Sequence, residues 1–202
     1  MGLAKLKTKI SVEDYLAGEE TSPVRYEYVY GEVYAMAGTS DNHNRIVGSI
    51  YAALFNNLRN SPCEPFMGDI KVRVSPQVYY YPDVLVSCEE NPENPYFRNQ
   101  PILIVEVLSS STESYDRGGK FAHYQSIESL IEYVLISQTQ PRIECFTKDG
   151  DGGDKWIYRK ADSLEASVEL ESIKGRLALA DVFANVDFEQ ARSKADRSRP
   201  LA

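Results

Sequence analysis

Pro101-Ile-Leu-Ile-Val-Glu-Val-Leu108 is almost wholly apolar and has turn-forming chemistry on both sides. Such a run predicts a central strand covered on both faces of its sheet. Ile131 to Ile136 reads as a second buried strand. Between them a serine-threonine stretch leads to Asp116, after which Lys120, Phe121, Tyr124 and Gln125 fall at helical spacing, with Gly118 and Gly119 weakening the first turn. Within the central run Glu106 is anomalous, because an ionised carboxylate in an apolar strand is costly unless a cation or a donor meets it.

Toward the N-terminus, Asp69-Ile-Lys-Val-Arg-Val74 alternates polar with apolar, the mark of a strand buried on one face. Val78 to Tyr81 and Val84 to Val86 extend that reading around Pro82, which points to an edge or a bulge. From Ser40 to Arg59 the positions Ile46, Ile50, Leu54 and Leu58 recur every four residues, so a long amphipathic helix is expected, with Asp41 or Asn42 as its cap. Arg25 to Tyr30 and Glu32 to Met36 form a hairpin about Gly31. Ser11 with Asp14 caps a short helix that Gly18 ends.

On the C-terminal side, Arg142 to Lys148 and Lys155 to Lys160 make a meander joined by the turn Asp149-Gly-Asp-Gly-Gly-Asp154. An EF-hand loop would want Glu at the twelfth place, where Lys160 stands. Glu89 to Gln100, with two prolines and three asparagines, is a loop, and Leu177 to Phe183 closes the domain. One domain over residues 1–188 is expected, then a polar tail over 189–202 without periodicity.

Composition narrows the function classes. Hydrophobic residues at 43% and charged residues at 26% of the 202 are ordinary globular values. The cysteines Cys63, Cys88 and Cys145 are odd in number and far apart, so neither a disulfide framework nor a zinc ribbon is expected. That usage suits a reducing compartment. Met1 to Ile10 lacks the apolar core of a secretory signal, and no run approaches the ~18 apolar residues of a membrane span, so a cytoplasmic location is expected. A net charge of −8 opposes general nucleic-acid binding, which draws its affinity from lysine and arginine.

The chemistry centres on Pro82-Asp83 and on Glu106, 23 residues later. If their strands are neighbours, both carboxylates converge at one end of the sheet, where a hard divalent ion takes oxygen ligands and is completed by water and substrate phosphate. The main-chain carbonyl of Val107 could add a further oxygen. The competing reading pairs Glu106 with a buried arginine or lysine for structure alone. His43, in Asp41-Asn-His-Asn44, reads as part of a polar helix start ahead of a site role, and His123 as a packing residue. Ser109-Ser-Ser-Thr112 lacks a nucleophile elbow and reads as a helix cap.

These residues, in this order, resemble the Uma-type family grouped with restriction-endonuclease-like proteins. The resemblance runs from Tyr15 to Phe183. It is carried by Arg25-Tyr-Glu-Tyr-Val-Tyr-Gly-Glu32 with Met36 and Gly38, His43, Pro82-Asp83-Val84, Val105-Glu-Val-Leu-Ser109, Tyr115-Asp-Arg-Gly-Gly-Lys120 with Tyr124, and Ile131-Glu-Tyr-Val134. It implies an α/β fold with a restriction-endonuclease-like mixed central β-sheet flanked by helices and an N-terminal β-hairpin. It further implies a PD-(D/E)XK core, in which an acidic pair holds Mg2+, or Mn2+, and a lysine positions the attacking water. Asp83 matches the first acid and Glu106 the second. The lysine should stand two residues after Glu106, but Leu108 stands there. Lys120 is the substitute that the resemblance implies, and Glu27, or alternatively Glu32, matches an acid supplied from an N-terminal element. A metal-dependent endonuclease acting on DNA as a homodimer follows as an expectation. The other reading is a catalytically idle relative serving protein interaction or assembly.

Overall fold

The structure is a computed structural model and describes residues 9–36, 38–150 and 155–189. Ser11 caps α1 (Val12–Thr21), its hydroxyl accepting the Asp14 N–H at 3.1 Å. The helix continues past Gly18, where the sequence suggested an end. Gly18 lacks the positive φ of a helix-ending glycine, and its carbonyl takes the Ser22 N–H at 3.0 Å. The extra turn carries Glu19, whose carboxylate is held by the Tyr26 N–H and the Tyr81 hydroxyl.

β1 (Tyr26–Val29) and β2 (Glu32–Ala35) pair as the expected hairpin, with Val29 opposite Glu32. The two turn residues, Tyr30 at φ 50° and Gly31 at φ 90°, both sit in the left-handed region that a two-residue hairpin turn requires. α2 (Asp41–Asn57) is capped by Ser40, not by Asp41 or Asn42. The Ser40 hydroxyl accepts the His43 N–H at 3.1 Å, which makes it the cap.

β3 (Glu64–Met67), β4 (Lys71–Ser75), β5 (Val78–Tyr80), β6 (Val84–Ser87), β7 (Phe97–Arg98) and β8 (Pro101–Leu108) follow. β7 falls inside the segment that reads as loop. A continuous helical stretch comes next, made of α3 (Glu113–Tyr115), a π-turn (Asp116–Lys120) and α4 (Phe121–Tyr124). β9 (Glu132–Ser137), β10 (Ile143–Lys148) and β11 (Trp156–Ala161) continue the sheet. β12 (Ser167–Leu170), a 3-10 turn (Glu171–Ile173), β13 (Gly175–Ala178) and α5 (Leu179–Val182) complete the described chain. Lys148 pairs with Trp156 across the meander, while residues 151–154 of its turn and residues 190–202 of the tail lie outside the described residues.

The fold is mixed α/β. A six-stranded sheet runs in the order β11-β10-β9-β8-β6-β3, with β8 and β9 parallel. A second sheet of five strands, in the order β2-β1-β5-β4-β7, joins the hairpin to the middle of the chain. Pro82 therefore does not interrupt one extended run. It sits in the crossover Tyr81-Pro82-Asp83, where the chain leaves β5 in one sheet for β6 in the other.

β8 is covered on both sides, as its composition demands. Val105 and Val107 pack with Ile46, Ile50 and Leu54 of α2, while Ile104 and Leu108 pack with Tyr80, Tyr124 and Tyr133. The expectation for the cysteines is overturned, because Cys63 and Cys88 form a disulfide. Glu64 pairs with Ser87 in the β3–β6 ladder, so the two cysteines face each other one step beyond it. β3 has two exposed and two half-buried residues and no apolar signature, so nothing in its sequence announces the pairing. The inference of a reducing compartment loses that premise. Among the described residues no helix is long and apolar enough to cross a membrane.

Candidate active site

Alternation along β8 turns Glu106 to the same side as Ile104 and Leu108, beneath α4, where it is only 4% exposed. Its Oε1 accepts the Tyr124 hydroxyl at 3.0 Å and stands 2.9 Å from Lys120 Nζ. The same ammonium lies 2.8 Å from Glu27 Oε1 of β1 and 3.9 Å from Asp116 Oδ1. Glu27 Oε1 also accepts the Tyr81 N–H at 3.2 Å, which ties the hairpin to the crossover. Lys120 Nζ is 5.2 Å from the centre of the Tyr80 ring, a cation–π contact that adds to its confinement.

Asp83 is fixed from two directions. Its Oδ2 accepts the Val107 N–H at 2.7 Å and lies 3.2 Å from His43 Nε2. Val84 pairs with Val105, so the register of β6 against β8 delivers Asp83 to the strand end beside Glu106. The structure thus brings Glu27, Asp83, Glu106 and Lys120 into one cleft, with Val107 on its wall. Glu32, the alternative acid, accepts the Tyr34 hydroxyl at 2.5 Å and is not among the described residues lining that cleft.

Burial pushes the Glu106 carboxyl well up from its ordinary 4.5, with Asp116, Asp83 and Glu27 adding to the rise and Lys120 opposing it. Burial disfavours the charge on Lys120, yet Glu106 and Glu27 outweigh it and hold the ammonium well above its ordinary 10.5. Asp116 is likewise raised by burial, against Lys120. Three carboxyl groups lie within 3.9 Å of one ammonium and a fourth, Asp83, acts on Glu106, so the cluster carries more negative charge than Lys120 cancels when all are ionised. An additional cation is the natural counterweight.

Sequence reasoning undervalued His43, which it read as part of a helix start. The side chain instead reaches Asp83, and only the packing of α2 beside the crossover reveals it. It also missed Asp116 and Tyr124 as site members. They precede and follow Lys120 by four residues, a spacing that stacks them on one helical face and was available as a signal. His123 packs as expected against Tyr80, and its Nδ1 is 2.5 Å from the Tyr80 hydroxyl.

The cleft has a volume of about 440 Å3. Its walls come from β2, the start of α2, the Ser109–Thr112 turn and the π-turn. Among the described residues no three His, Cys, Asp or Glu side chains converge as a full metal shell. Magnesium does not need one, since it binds through one or two carboxylates plus water and phosphate. The donors fit that habit, because the named contacts fall on Oδ2 of Asp83 and Oε1 of Glu106 and both side chains line the cleft.

Comparison with known proteins agrees with this architecture. The uncharacterized protein slr1290 of Synechocystis sp. (strain ATCC 27184 / PCC 6803 / Kazusa) is 38% identical over 185 residues, covering 89% of this chain and 94% of its own length. The uncharacterized protein sll1609 of the same strain is 34% identical over 176 residues, covering 83% and 96%. Among solved structures, a "putative nuclease belonging to DUF820" from Anabaena variabilis ATCC 29413 matches with a TM-score of 0.69 at 16% identity, over 87% of this chain and 98% of that one. That likeness is one of fold. The Uma2 family model, described as "Putative restriction endonuclease", matches residues 12–181, and the chain belongs to that family.

Proposed function

We propose that the protein is a metal-dependent endonuclease that hydrolyses DNA phosphodiester bonds in the cleft between its five-stranded and six-stranded sheets. One observation carries this reading: Lys120, although not two residues after Glu106, stands 2.9 Å from it, while Asp83 is bonded to the next residue, Val107. In this reading the lysine keeps its place after the two acids in chain order but comes from the helical stretch that follows β8 instead of from the strand itself. Asp83, Glu106 and the Val107 carbonyl would hold Mg2+ or Mn2+. Bound there, the ion supplies a Lewis acid for the phosphoryl oxygen and lowers the pKa of its water. His43 and the Val107 N–H keep Asp83 aimed, Glu27 keeps Lys120 in place and contacts the attacking water, and the ammonium offsets charge growing on phosphate. Cutting both strands of a duplex calls for two such clefts, and hence a homodimer.

A second reading has one observation in its favour. Lys120 is already satisfied by two carboxylates, as it would be in an idle nuclease fold used for interaction or assembly. Cleavage of plasmid and oligonucleotide DNA with Mg2+ or Mn2+, parent against Asp83→Asn, separates the two. The nuclease reading expects metal-dependent cuts in the parent and a loss of about 100-fold or more in the variant, with circular dichroism unchanged. Absence of both cleavage and calorimetric Mn2+ binding in the parent would leave the interaction module standing.

A further inference from the structure

We infer that the cleft takes an unpaired nucleotide of a single DNA strand, stacked on Tyr115, in preference to intact duplex. This rests on the nuclease reading above and names its substrate class. The chemistry is recessed: Glu106 and Lys120 are 4% and 5% exposed, and Glu27 and Asp116 are also buried. A cavity of about 440 Å3 has the size of a small-ligand pocket. Duplex DNA is stiff over roughly 50 nm and presents its phosphates from outside, along a ridge. A flexible strand can thread a nucleotide inward; a straight duplex cannot.

Charge points the same way. Lys120 is the only lysine or arginine among the described residues that line the cleft, and two carboxylates already hold it. Duplex affinity comes mostly from basic side chains that release counterions, and this wall has none to spare. In their place it presents hydroxyls, among them Thr39, Ser110 and Ser111, which can bond sugar and phosphate without charge.

The wall also carries a prepared aromatic surface. Tyr115 lines the cleft and is 36% exposed. Its hydroxyl lies 2.6 Å from that of Tyr80, and the Tyr80 ring meets it edge-on at 72°. The Tyr80 hydroxyl is anchored in turn by His123. Gly119 completes the seat, because a Cβ there would stand 2.7 Å from Tyr115 Cε2 and force the ring away. The glycine that weakens the helix start therefore makes room for the ring. Tyr34, on the same wall, offers a second aromatic surface. Stacking on rings held in advance is the sequence-tolerant grip that single strands use.

The test uses the full chain with Mn2+ and one labelled oligonucleotide, offered single-stranded and annealed to its complement, together with a 2-aminopurine version of the strand. Three results are expected. The parent cleaves the single strand at least about tenfold faster than the duplex, and binding quenches 2-aminopurine. Tyr115→Leu raises KM for the strand about tenfold with kcat nearly unchanged and abolishes the quench, while Tyr115→Phe keeps both. Equal or faster cleavage of duplex by the parent overturns the inference and leaves the nuclease reading in place; this arm needs no variant to fold. A quench that survives in Tyr115→Leu also overturns it. No cleavage of either form, with no metal-dependent binding of the strand, removes both readings together.

Discussion

Glu106 is a carboxyl set in an apolar strand, where its charge needs a cation, and Lys120 meets it within 2.9 Å. A structural clamp and a catalytic pair both begin with that contact, so the residue alone does not separate them. The proposed site draws on the neighbours: Glu27 and Asp116 also stand against that ammonium and Asp83 acts on Glu106, which is more negative charge than one lysine can cancel. Lys120→Met leaves Glu27 and Glu106 buried without their partner, and the expected loss is about 3–5 kcal/mol of stability near neutral pH, read from urea unfolding. Part of that loss should recover in acid. The folded state binds the Glu106 proton more tightly than the unfolded chain does, so this group's contribution is full below its ordinary 4.5 and fades as pH rises through the raised value. Cleavage should run the opposite way in the parent, gaining rate as Glu106 loses its proton, with the pH profile of kcat/KM as the measurement.

Elements differ in how plainly they announce themselves. β8 and α2 were legible because their apolar periods are unbroken, and the structure places them where those periods require. β3, β7, β12 and β13 are four residues or shorter and lack the aromatic and β-branched run about a glycine turn that marked the equally short hairpin strands. The π-turn is another matter: no spacing in Asp116-Arg-Gly-Gly-Lys120 marks the wider register, and only the Tyr115 ring against Gly119 explains the glycine. Glu132 supplies the element-scale prediction. It is fully buried at the start of β9 and accepts from Thr147 Oγ1 at 3.1 Å, Glu171 N at 3.0 Å and Ser172 N at 2.9 Å. It thus pins the 3-10 turn between β12 and β13 to the central sheet. Glu132→Ala strands those donors, and a loss of about 3 kcal/mol is expected from the urea midpoint, with Mn2+ affinity at the distant cleft unchanged.

At the scale of the molecule, the many buried tyrosines tie stability to alkaline pH. Burial raises the hydroxyls of Tyr80, Tyr81, Tyr124 and Tyr133, and it pushes the Cys145 thiol from 9.0 up to about 12. A hydrogen bond to Glu32 lifts Tyr34 from 10.0 to about 12. The unfolded chain releases these protons first, so stability is complete below pH 9 or so and declines as pH climbs toward the folded values. Urea midpoints taken across that window should fall steadily, and a flat profile would contradict the burial described. By itself the sequence determined the hairpin, the long helix, the central strand and the anomalous Glu106, because each is written in local period or in a charge where none belongs, while Glu27 and Lys120 were named through the family resemblance. Tertiary structure alone decided the two-sheet division at Pro82, the Cys63–Cys88 bridge, the seat of Tyr115 and the approach of His43 to Asp83. Those are meetings of residues distant along the chain, set by strand register and packing, and no local pattern encodes the partner a side chain will find.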